Sequence, residues 1–429
     1  MLLAKIHSAL SHHDAAALTL DELEAELTAR GAKASATRAW AIALRARELV
    51  VRNRFDEALP MYEQAIEMAL LAEGPLSTAA IAMRLSLARR LAQTPYADQA
   101  QAPFDAALSA MHKLGGAHEI RAAFASAEFA FWSYINFRQI KPTEAITVIE
   151  RSRALLMASN LPMPAWFIPQ LDRWLGTVDV AYGDVAAALL LIESSGAFLS
   201  NALDSPEDRA GVPWGTGWAL GDAGRHDEAD RMLRASLQAH RELGGPPTKP
   251  IIAQLYLRIA GNLIMQGHYR EAESMLDEKP ADEGIPGSGV APGFSNVFAA
   301  GMRARLRLLS GDAVGAVALI EREGDVMDDW PAYQLSLGEA LCATDRRSDG
   351  LAWLKREIAK EEQGGFEHPN SPWLARMRAV AGLCALDTHD RAAAIIFAAQ
   401  ARAAFTAQPG VSPYYKAPLL TLEKRLGRR

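Results

Sequence analysis

The chain has 429 residues, of which 50% are hydrophobic and 22% charged, and its 45 basic and 51 acidic side chains give a formal net charge of −6. This length allows two or three ordinary domains or one extended repeat array. The acidic balance argues against nucleic acid as the main partner, because binding to phosphates needs a basic face.

Neither the cysteine content nor the apolar runs indicate an extracellular or a membrane protein. Two cysteines cannot build a disulfide framework, so we expect a reducing, cytoplasmic setting. No apolar run reaches the roughly 18 to 20 residues of a membrane span. Lys5 and His7 interrupt the apolar start of the chain, which is unlike a signal peptide. We therefore expect no membrane partner.

The amino-acid usage predicts an all-α protein. Alanine makes up roughly a fifth of the chain, well above its normal share. Leucine and arginine are also abundant, and runs of valine, isoleucine and threonine are scarce. The abundant residues are strong helix formers and the scarce ones are those that strands prefer.

Residues 1–37 precede the first recognisable repeat and are predicted to form an N-terminal helical cap. Thr19 and Glu22 have the spacing of a capping box at a helix start. A cap is needed because each unit of a stack buries its faces only against its neighbours.

From residue 38 onward a helix–turn–helix unit recurs about every 41 to 45 residues, with one gap of about 34. The clearest copy runs from Asn53 to Leu59, a polar turn that leads into an alanine of the second helix. The nine equivalent pivot residues are Ala58, Ala100, Ala145, Ala188, Ala229, Ala272, Ala316, Gly350 and Ala394.

A second pattern supports the same units. The residue twelve positions before each pivot is small in all nine copies: Ala46, Ala88, Ser133, Gly176, Gly217, Ala260, Ala304, Gly338 and Gly382. Small residues let two antiparallel helices approach to about 8 to 10 Å. The residue four positions after the pivot is large and apolar in eight copies, as at Tyr62 and Ile192, and we expect it to fill space against the next repeat.

Small residues twelve apart, a Gly-x-Tyr/Phe-x-Glu-Ala turn and a large apolar residue four later resemble the tetratricopeptide repeat. The long period resembles the extended variant of kinesin light chains and of bacterial regulators related to the maltose-regulon activator. The resemblance implies an α-solenoid, a right-handed superhelix of about nine hairpins over residues 38–408. We expect residues 409–429 to form the C-terminal capping helix, with Ser412 and Pro413 at its start.

One segment breaks the helical pattern. Residues 279–293 contain four glycines and three prolines, and we predict an exposed, flexible loop there.

No sequence motif for catalysis, a cofactor or a metal is present: there is no HExxH, P-loop or CxxC pair. His7, His12, His13 and Asp14 cluster near the chain end, and we interpret them as a solvated surface. Cys342 and Cys384 fall late in the first helices of adjacent repeats, where we predict buried thiols, with a redox pair as the alternative.

The register of the repeats predicts which residues face the groove. In arrays of this family the first helices line the concave face. Positions six before, three before and one after each small residue should point into it. The predicted partner-binding residues are Trp40, Arg47, Arg89, Tyr134, Arg173, Trp214, Trp218, Gln254, Arg305 and Arg376, and the same register includes Glu339.

Arginine and aromatic residues are enriched at binding hot spots, so this set favours a protein or peptide partner that carries carboxylates. Alternatively, arginine is simply the commonest cation of this chain and the aromatic rings fill gaps between helices. The leading hypothesis is a non-enzymatic binding scaffold without a cofactor. A second is the ligand- or peptide-sensing arm of a bacterial kinase or transcription-regulator system, and a third is an enzyme site beneath the 279–293 loop. The sequence does not decide whether the chain forms a homodimer.

Overall fold

A computed structural model describes residues 13–29, 35–51, 54–92, 95–135, 139–203, 206–244, 248–280, 294–323, 331–365 and 367–427. Within these ranges the chain forms twenty α-helices, one short 3₁₀-helix at Pro95–Gln99, and no β-strand. The all-α prediction is therefore confirmed. Of the predicted 279–293 loop, residues 281–293 lie outside the described ranges, as do residues 1–12 and 30–34 of the N-terminal cap and His7 and His12 of the histidine cluster.

The helices form nine antiparallel hairpins between two single helices. The single helices are α1 (His13–Ala29) and α20 (Pro413–Gly427). In chain order the hairpins are α2 (Ala36–Val51) with α3 (Phe55–Glu73), α4 (Thr78–Leu91) with α5 (Gln101–Leu114), α6 (Ala117–Ile135) with α7 (Pro142–Ala158), α8 (Phe167–Tyr182) with α9 (Val185–Ala202), α10 (Pro206–Asp222) with α11 (His226–Leu243), α12 (Thr248–Gln266) with α13 (Tyr269–Glu278), α14 (Phe294–Leu309) with α15 (Ala313–Glu323), α16 (Pro331–Cys342) with α17 (Arg347–Gly364), and α18 (Pro372–Asp387) with α19 (Arg391–Ala407).

The small residue of each first helix lies where the two helices of a hairpin touch. A Cβ atom added at Gly176 would lie 2.7 Å from Ile192 Cγ1 and 3.0 Å from the Ala188 carbonyl oxygen. At Gly217 it would lie 2.7 Å from Leu233 Cγ and 3.1 Å from the carbonyl oxygen of the pivot in the same hairpin. The sequence period therefore records a steric requirement, because no larger residue fits at these two crossings.

The large residue four positions after each pivot packs in two directions. Ile192 and Leu233, four residues after their pivots, pack onto the glycine of their own hairpin. The set also packs toward the next hairpin as expected: Ile192 shares a core cluster with Ala219 and Leu233 shares one with Leu255. The Tyr62 hydroxyl likewise lies 3.2 Å from Ser86 Oγ in the first helix of the next hairpin. The large residue therefore helps to close the hairpin that carries it.

The curvature of the array follows from which helices touch. Every first helix contacts the first helix of the next hairpin, from α2 with α4 through α16 with α18. Among the described residues, no two consecutive second helices make comparable contact. A stack whose first helices lie closer together than its second helices bends toward the first helices, which therefore form the concave inner face.

The bend brings the end of the chain back onto its middle. At the turn between α8 and α9, Gly183 has a φ of +99°, and an added Cβ atom would lie 2.6 Å from Ser371 Cβ. The His368 amide donates to the Tyr182 carbonyl at 2.7 Å, and Gln408 Nε2 donates to the Gly183 carbonyl at 2.7 Å. The fourth hairpin thus contacts the ninth, five hairpins further along.

The turn inside hairpin five also contacts a distant part of the chain. Gly224, between α10 and α11, has a φ of +77°, and its added Cβ atom would lie 3.1 Å from Ser412 Cα. The Ser412 amide donates to the Asp222 carbonyl at 2.8 Å, and Ser412 Oγ lies 3.1 Å from His226 Nε2. Hairpins four and five therefore contact hairpin nine and the segment that follows it. These contacts join one turn of the superhelix to the next.

The two cysteines contradict the prediction of free thiols. Cys342 and Cys384 form a disulfide between α16 and α18, with their Cα atoms 5.5 Å apart. The two first helices are neighbours on the inner layer, which is what brings the two side chains together. The pair joins hairpins eight and nine covalently.

One helix differs from the expectation about apolar runs. By length and composition alone α9 could span a membrane, with a mean hydropathy of 1.4 over 18 residues, of which 28% are buried. It takes its place in the array as the second helix of hairpin four, packed against α8 and α10.

Candidate functional site

The candidate site is the inner face formed by the first helices, and it divides into two halves by its chemistry. We call hairpins one to four the N-terminal half and hairpins five to nine the C-terminal half. Four of the predicted residues lie on α2, α4 and α8 of the N-terminal half. They are Trp40 and three cations, Arg47, Arg89 and Arg173.

Arg89, on α4 of hairpin two, contacts a carboxylate and an indole ring. Its Nη1 atom lies 3.1 Å from Glu128 Oε1, and its guanidinium lies 5.9 Å from the ring centroid of Trp132. The side chain of Arg89 is 37% exposed. Trp132 was not in the predicted set, because it immediately precedes the small residue Ser133 and the register does not select that position.

Arg173 is a buried cation on the same face, with 9% of its surface exposed. It has a neutral neighbour: when the Gln170 amide oxygen faces the donors, it accepts from Arg173 Nη2 at 2.6 Å and from Trp174 Nε1 at 2.8 Å. No carboxylate of the described residues forms a salt bridge with Arg173. Burial lowers the pKa of Arg173 to about 10, and nearby Arg89 lowers it further against the attraction of Asp208. The cation stays charged at neutral pH, and the attraction of Asp208 acts on it without a salt bridge.

Two predicted residues are placed differently from the rest. Tyr134 is buried in the core of the third hairpin, with 2% of its surface exposed. Gln254 on α12 is exposed. Neither contributes a charged group to the inner face.

The C-terminal half begins with an aromatic pair. The ring centroids of Trp214 and Trp218 lie 5.8 Å apart on α10. The guanidinium of Arg258, which the register did not select, stacks over Trp218 at 3.6 Å from its centroid. Trp218 Nε1 donates to Asp222 Oδ2 at 3.0 Å. Burial lowers the pKa of Arg258 to about 10, and Asp222 counteracts that effect.

The deeper part of the C-terminal half is a closed ion cluster. Arg305, 5% exposed, and Arg376, 4% exposed, both pair with Glu339. Burial opposes the charge on Glu339, but the two guanidiniums outweigh it, so the pKa of Glu339 lies below its ordinary value. Tyr414 of α20 completes the cluster: its hydroxyl accepts from Arg305 Nε at 3.0 Å and its carbonyl accepts from Arg376 Nη1 at 2.6 Å.

The register thus brings Arg305, Glu339 and Arg376 together, and it misses their common partner. Tyr414 lies outside the nine repeats, on the helix for which the sequence predicts only a capping role. The sequence does contain one signal for Tyr414. The helix start at Ser412-Pro413 places Tyr414 and Tyr415 in the first turn of a helix that follows hairpin nine, where the first helix of a tenth hairpin would begin.

No group of three or more metal-ligating side chains occurs among the residues that the structure describes. The inner face offers instead arginine forks, indole rings and a few buried acids. Such a surface recognises carboxylates and aromatic groups by hydrogen bonding and stacking.

The fold and the inner face define an α-solenoid of tetratricopeptide-like repeats. No protein-family model matches the sequence, and no curated protein matches it significantly. Solved structures match the fold. A Rap protein complexed with competence and sporulation factor is 12% identical, with a TM-score of 0.54 over 81% of this chain and 98% of that chain. The apo form of the quorum sensor NprR from B. thuringiensis is 12% identical, with a TM-score of 0.51 over 85% of this chain and 97% of that chain. At such identities the likeness concerns the fold.

Proposed function

We propose that the protein is a non-enzymatic scaffold that binds an extended protein or peptide segment in its concave groove, and that the N-terminal half holds the ligand's carboxylates. One observation supports this most directly: the inner face of hairpins one to four carries Arg173 buried against a neutral amide, without a salt-bridge partner among the described residues. A carboxylate brought by a ligand would supply the salt-bridge partner and add to the attraction of Asp208.

The contacts around Arg173 define the rest of this proposed site. Arg89 couples electrostatically to Arg173 and lies beside the Trp132 ring, and Arg47 has a buried Nε atom without a hydrogen-bond partner. Trp40 precedes Arg47 by two turns on the same helix. Three cations with two indole rings fit a segment that carries acidic and apolar residues.

The neighbours in fold support a binding role in their own right. One is a Rap protein crystallised with competence and sporulation factor, and another is a quorum sensor. We carry over from them only that an array of this kind can hold a signalling partner. The long period of the hairpins also supports the kinesin-light-chain-like variant of the repeat.

A cytoplasmic location belongs to the same proposal, and it requires that the cysteine pair be reduced there, because structural disulfides persist in oxidising compartments. Alkylation of thiols in intact cells, followed by mass spectrometry, measures this: labelled Cys342 and Cys384 support the location, and an unlabelled disulfide contradicts it.

The experiment that tests the binding site is capture of partners from the protein's own cell lysate by wild type and by the double variant Arg47→Glu/Arg89→Glu. We expect a discrete partner that wild type retains and the double variant loses at least tenfold, with weaker retention at high salt. Arg231→Glu, an exposed charge reversal on the second helix α11, is the matched control and should retain the partner.

Equal retention by the double variant would contradict the assignment to the N-terminal half. The sensor hypothesis makes a different prediction: a small ligand would raise the melting temperature and change the radius of gyration, without capture of a protein.

A further inference from the structure

Tyr414 is held in the way that a bound peptide residue is held. Arg305 donates to its side-chain hydroxyl at 3.0 Å, and Arg376 donates to its backbone carbonyl at 2.6 Å. The Tyr414 ring lies against both guanidiniums, at 4.3 Å from Arg376 and 5.6 Å from Arg305. Backbone, ring and hydroxyl of one residue are therefore each recognised by the inner face.

The residues on either side of Tyr414 are held as well. The Ser412 amide donates to the Asp222 carbonyl at 2.8 Å, and the Tyr415 hydroxyl donates to the Asp222 carboxylate. Ser412 Oγ lies 3.1 Å from His226 Nε2. Four consecutive residues, Ser412 to Tyr415, thus form a short segment with contacts to hairpins five, seven and nine.

The site has more donors than this segment satisfies. Arg305 Nη2 and Arg376 Nε are buried without a hydrogen-bond partner, on side chains that are only 5% and 4% exposed. Buried N–H groups of this kind are rare in native proteins, and each costs free energy until it meets an acceptor.

We propose that the C-terminal half of the inner face is a recognition site for tyrosine-containing peptide segments, and that the chain's own Tyr414 side chain occupies it in cis. A tyrosine segment of a partner that also offers an acceptor to the two remaining donors competes for the same place. This site is separate from the one proposed for the N-terminal half.

The packing of α20 explains how Tyr414 can leave without unfolding the end of the array. Leu422 lies against Gly382 of α18, and Tyr415, Leu419 and Leu422 are buried in the core of hairpin nine. Tyr414 is only partly buried and packs on the rim of that core. The helix is therefore anchored by its other face, and the Tyr414 side chain is the part that a competitor replaces.

The probe is a fluorescein-labelled peptide with the sequence of residues 409–418, titrated in trans against full-length proteins by fluorescence anisotropy. With Tyr414→Ala protein we expect saturable binding that is at least tenfold tighter than with wild type. In wild type the cis segment competes at an effective concentration of about millimolar.

The chemistry of the site is tested with a second peptide in which phenylalanine replaces the tyrosine at position 414. Loss of the hydrogen bond from a charged donor should weaken its binding at least tenfold. The double variant Tyr414→Ala/Arg305→Met should bind both peptides equally weakly, because the donor to the hydroxyl is gone.

Tyr414→Phe protein provides the same test if Tyr414→Ala fails to fold, since the ring stays and only the hydroxyl is lost. It should bind the tyrosine peptide more tightly than wild type does. Equal binding by wild type and both folded variants, or equal binding of the two peptides, would overturn the proposal. These outcomes depend on Arg305 and leave the site around Arg89 untouched.

Discussion

The N-terminal and C-terminal halves of the inner face carry the same residue types in two different electrostatic states. In the N-terminal half, Arg89 is partly exposed beside Glu128, and Arg173 faces a neutral amide. In the C-terminal half, Arg305 and Arg376 share Glu339. The same repeat register therefore produces a partly exposed ion pair and a buried cation without a salt bridge among the described residues in one half, and a buried ion cluster in the other.

The difference arises from the path of the superhelix. Hairpin four contacts Ser371 at Gly183, and hairpin five contacts Ser412 at Gly224. The last helix therefore returns to the inner face of the C-terminal half. In the N-terminal half the returning chain contacts hairpin four at the turn between α8 and α9, through His368 and Gln408. Curvature, through the position of the chain end, decides which half is left for a partner.

The largest expected difference in stability between the two halves concerns Glu339. Replacing Glu339→Gln leaves two buried guanidiniums without their carboxylate, and we expect a loss of about 3–5 kcal/mol of stability. Urea denaturation followed by circular dichroism measures it. The matched substitution in the N-terminal half is Glu128→Gln, whose partner Arg89 is partly exposed, and it should cost less than about 1 kcal/mol. Similar losses in both variants would remove the distinction between the halves.

The contact that separates the halves is tested at Gly183. Gly183→Ala forces a Cβ atom onto Ser371 in a backbone with positive φ, and we expect a loss of about 2–3 kcal/mol and a larger radius of gyration in solution scattering. Gly267→Ala is the control: its φ of +83° is similar, but nothing lies within 4 Å of the added atom. It should cost about 1–2 kcal/mol without expansion. Expansion of both variants, or of neither, would show that the contact between turns does not hold the curvature.

Local and periodic features of this fold could be predicted from the sequence. The nine small residues and nine pivots are set by contacts within one hairpin, and such contacts repeat with the sequence period, so Gly176 and Gly217 revealed the architecture. The same register also placed Arg305, Glu339 and Arg376 on one face. Composition and spacing are enough for interactions between near neighbours.

Contacts between distant repeats left no periodic trace. The Tyr415–Asp222 hydrogen bond joins residues 193 positions apart, and it depends on the superhelical pitch, which small rotations at every hairpin determine together. The Cys342–Cys384 disulfide was missed for a related reason, since adjacent first helices were known but their exact rotation was not. Trp132 and Arg258 were missed because the register rule selects only three positions per helix.

The smallest effect concerns Asp179, on the last turns of α8 at the boundary between the halves. Burial raises its pKa to about 7, with Asp184 and Glu150 adding to the shift. The folded chain therefore holds a proton between about pH 4 and 7 that the unfolded chain has released. Stability should fall with rising pH across this window, by at most about 1.4 kcal/mol per pH unit.

Asp179→Asn removes this dependence, because the amide does not titrate, and the variant should be more stable than wild type at pH 8. Urea denaturation at pH 4.5, 6 and 8 measures the slope. Asp172→Asn, on the same helix but paired with Arg153, is the control and should keep the wild-type slope over this range. If Asp179→Asn keeps the slope too, the proton resides elsewhere, and the boundary between the two halves carries no buried acid that responds to neutral pH.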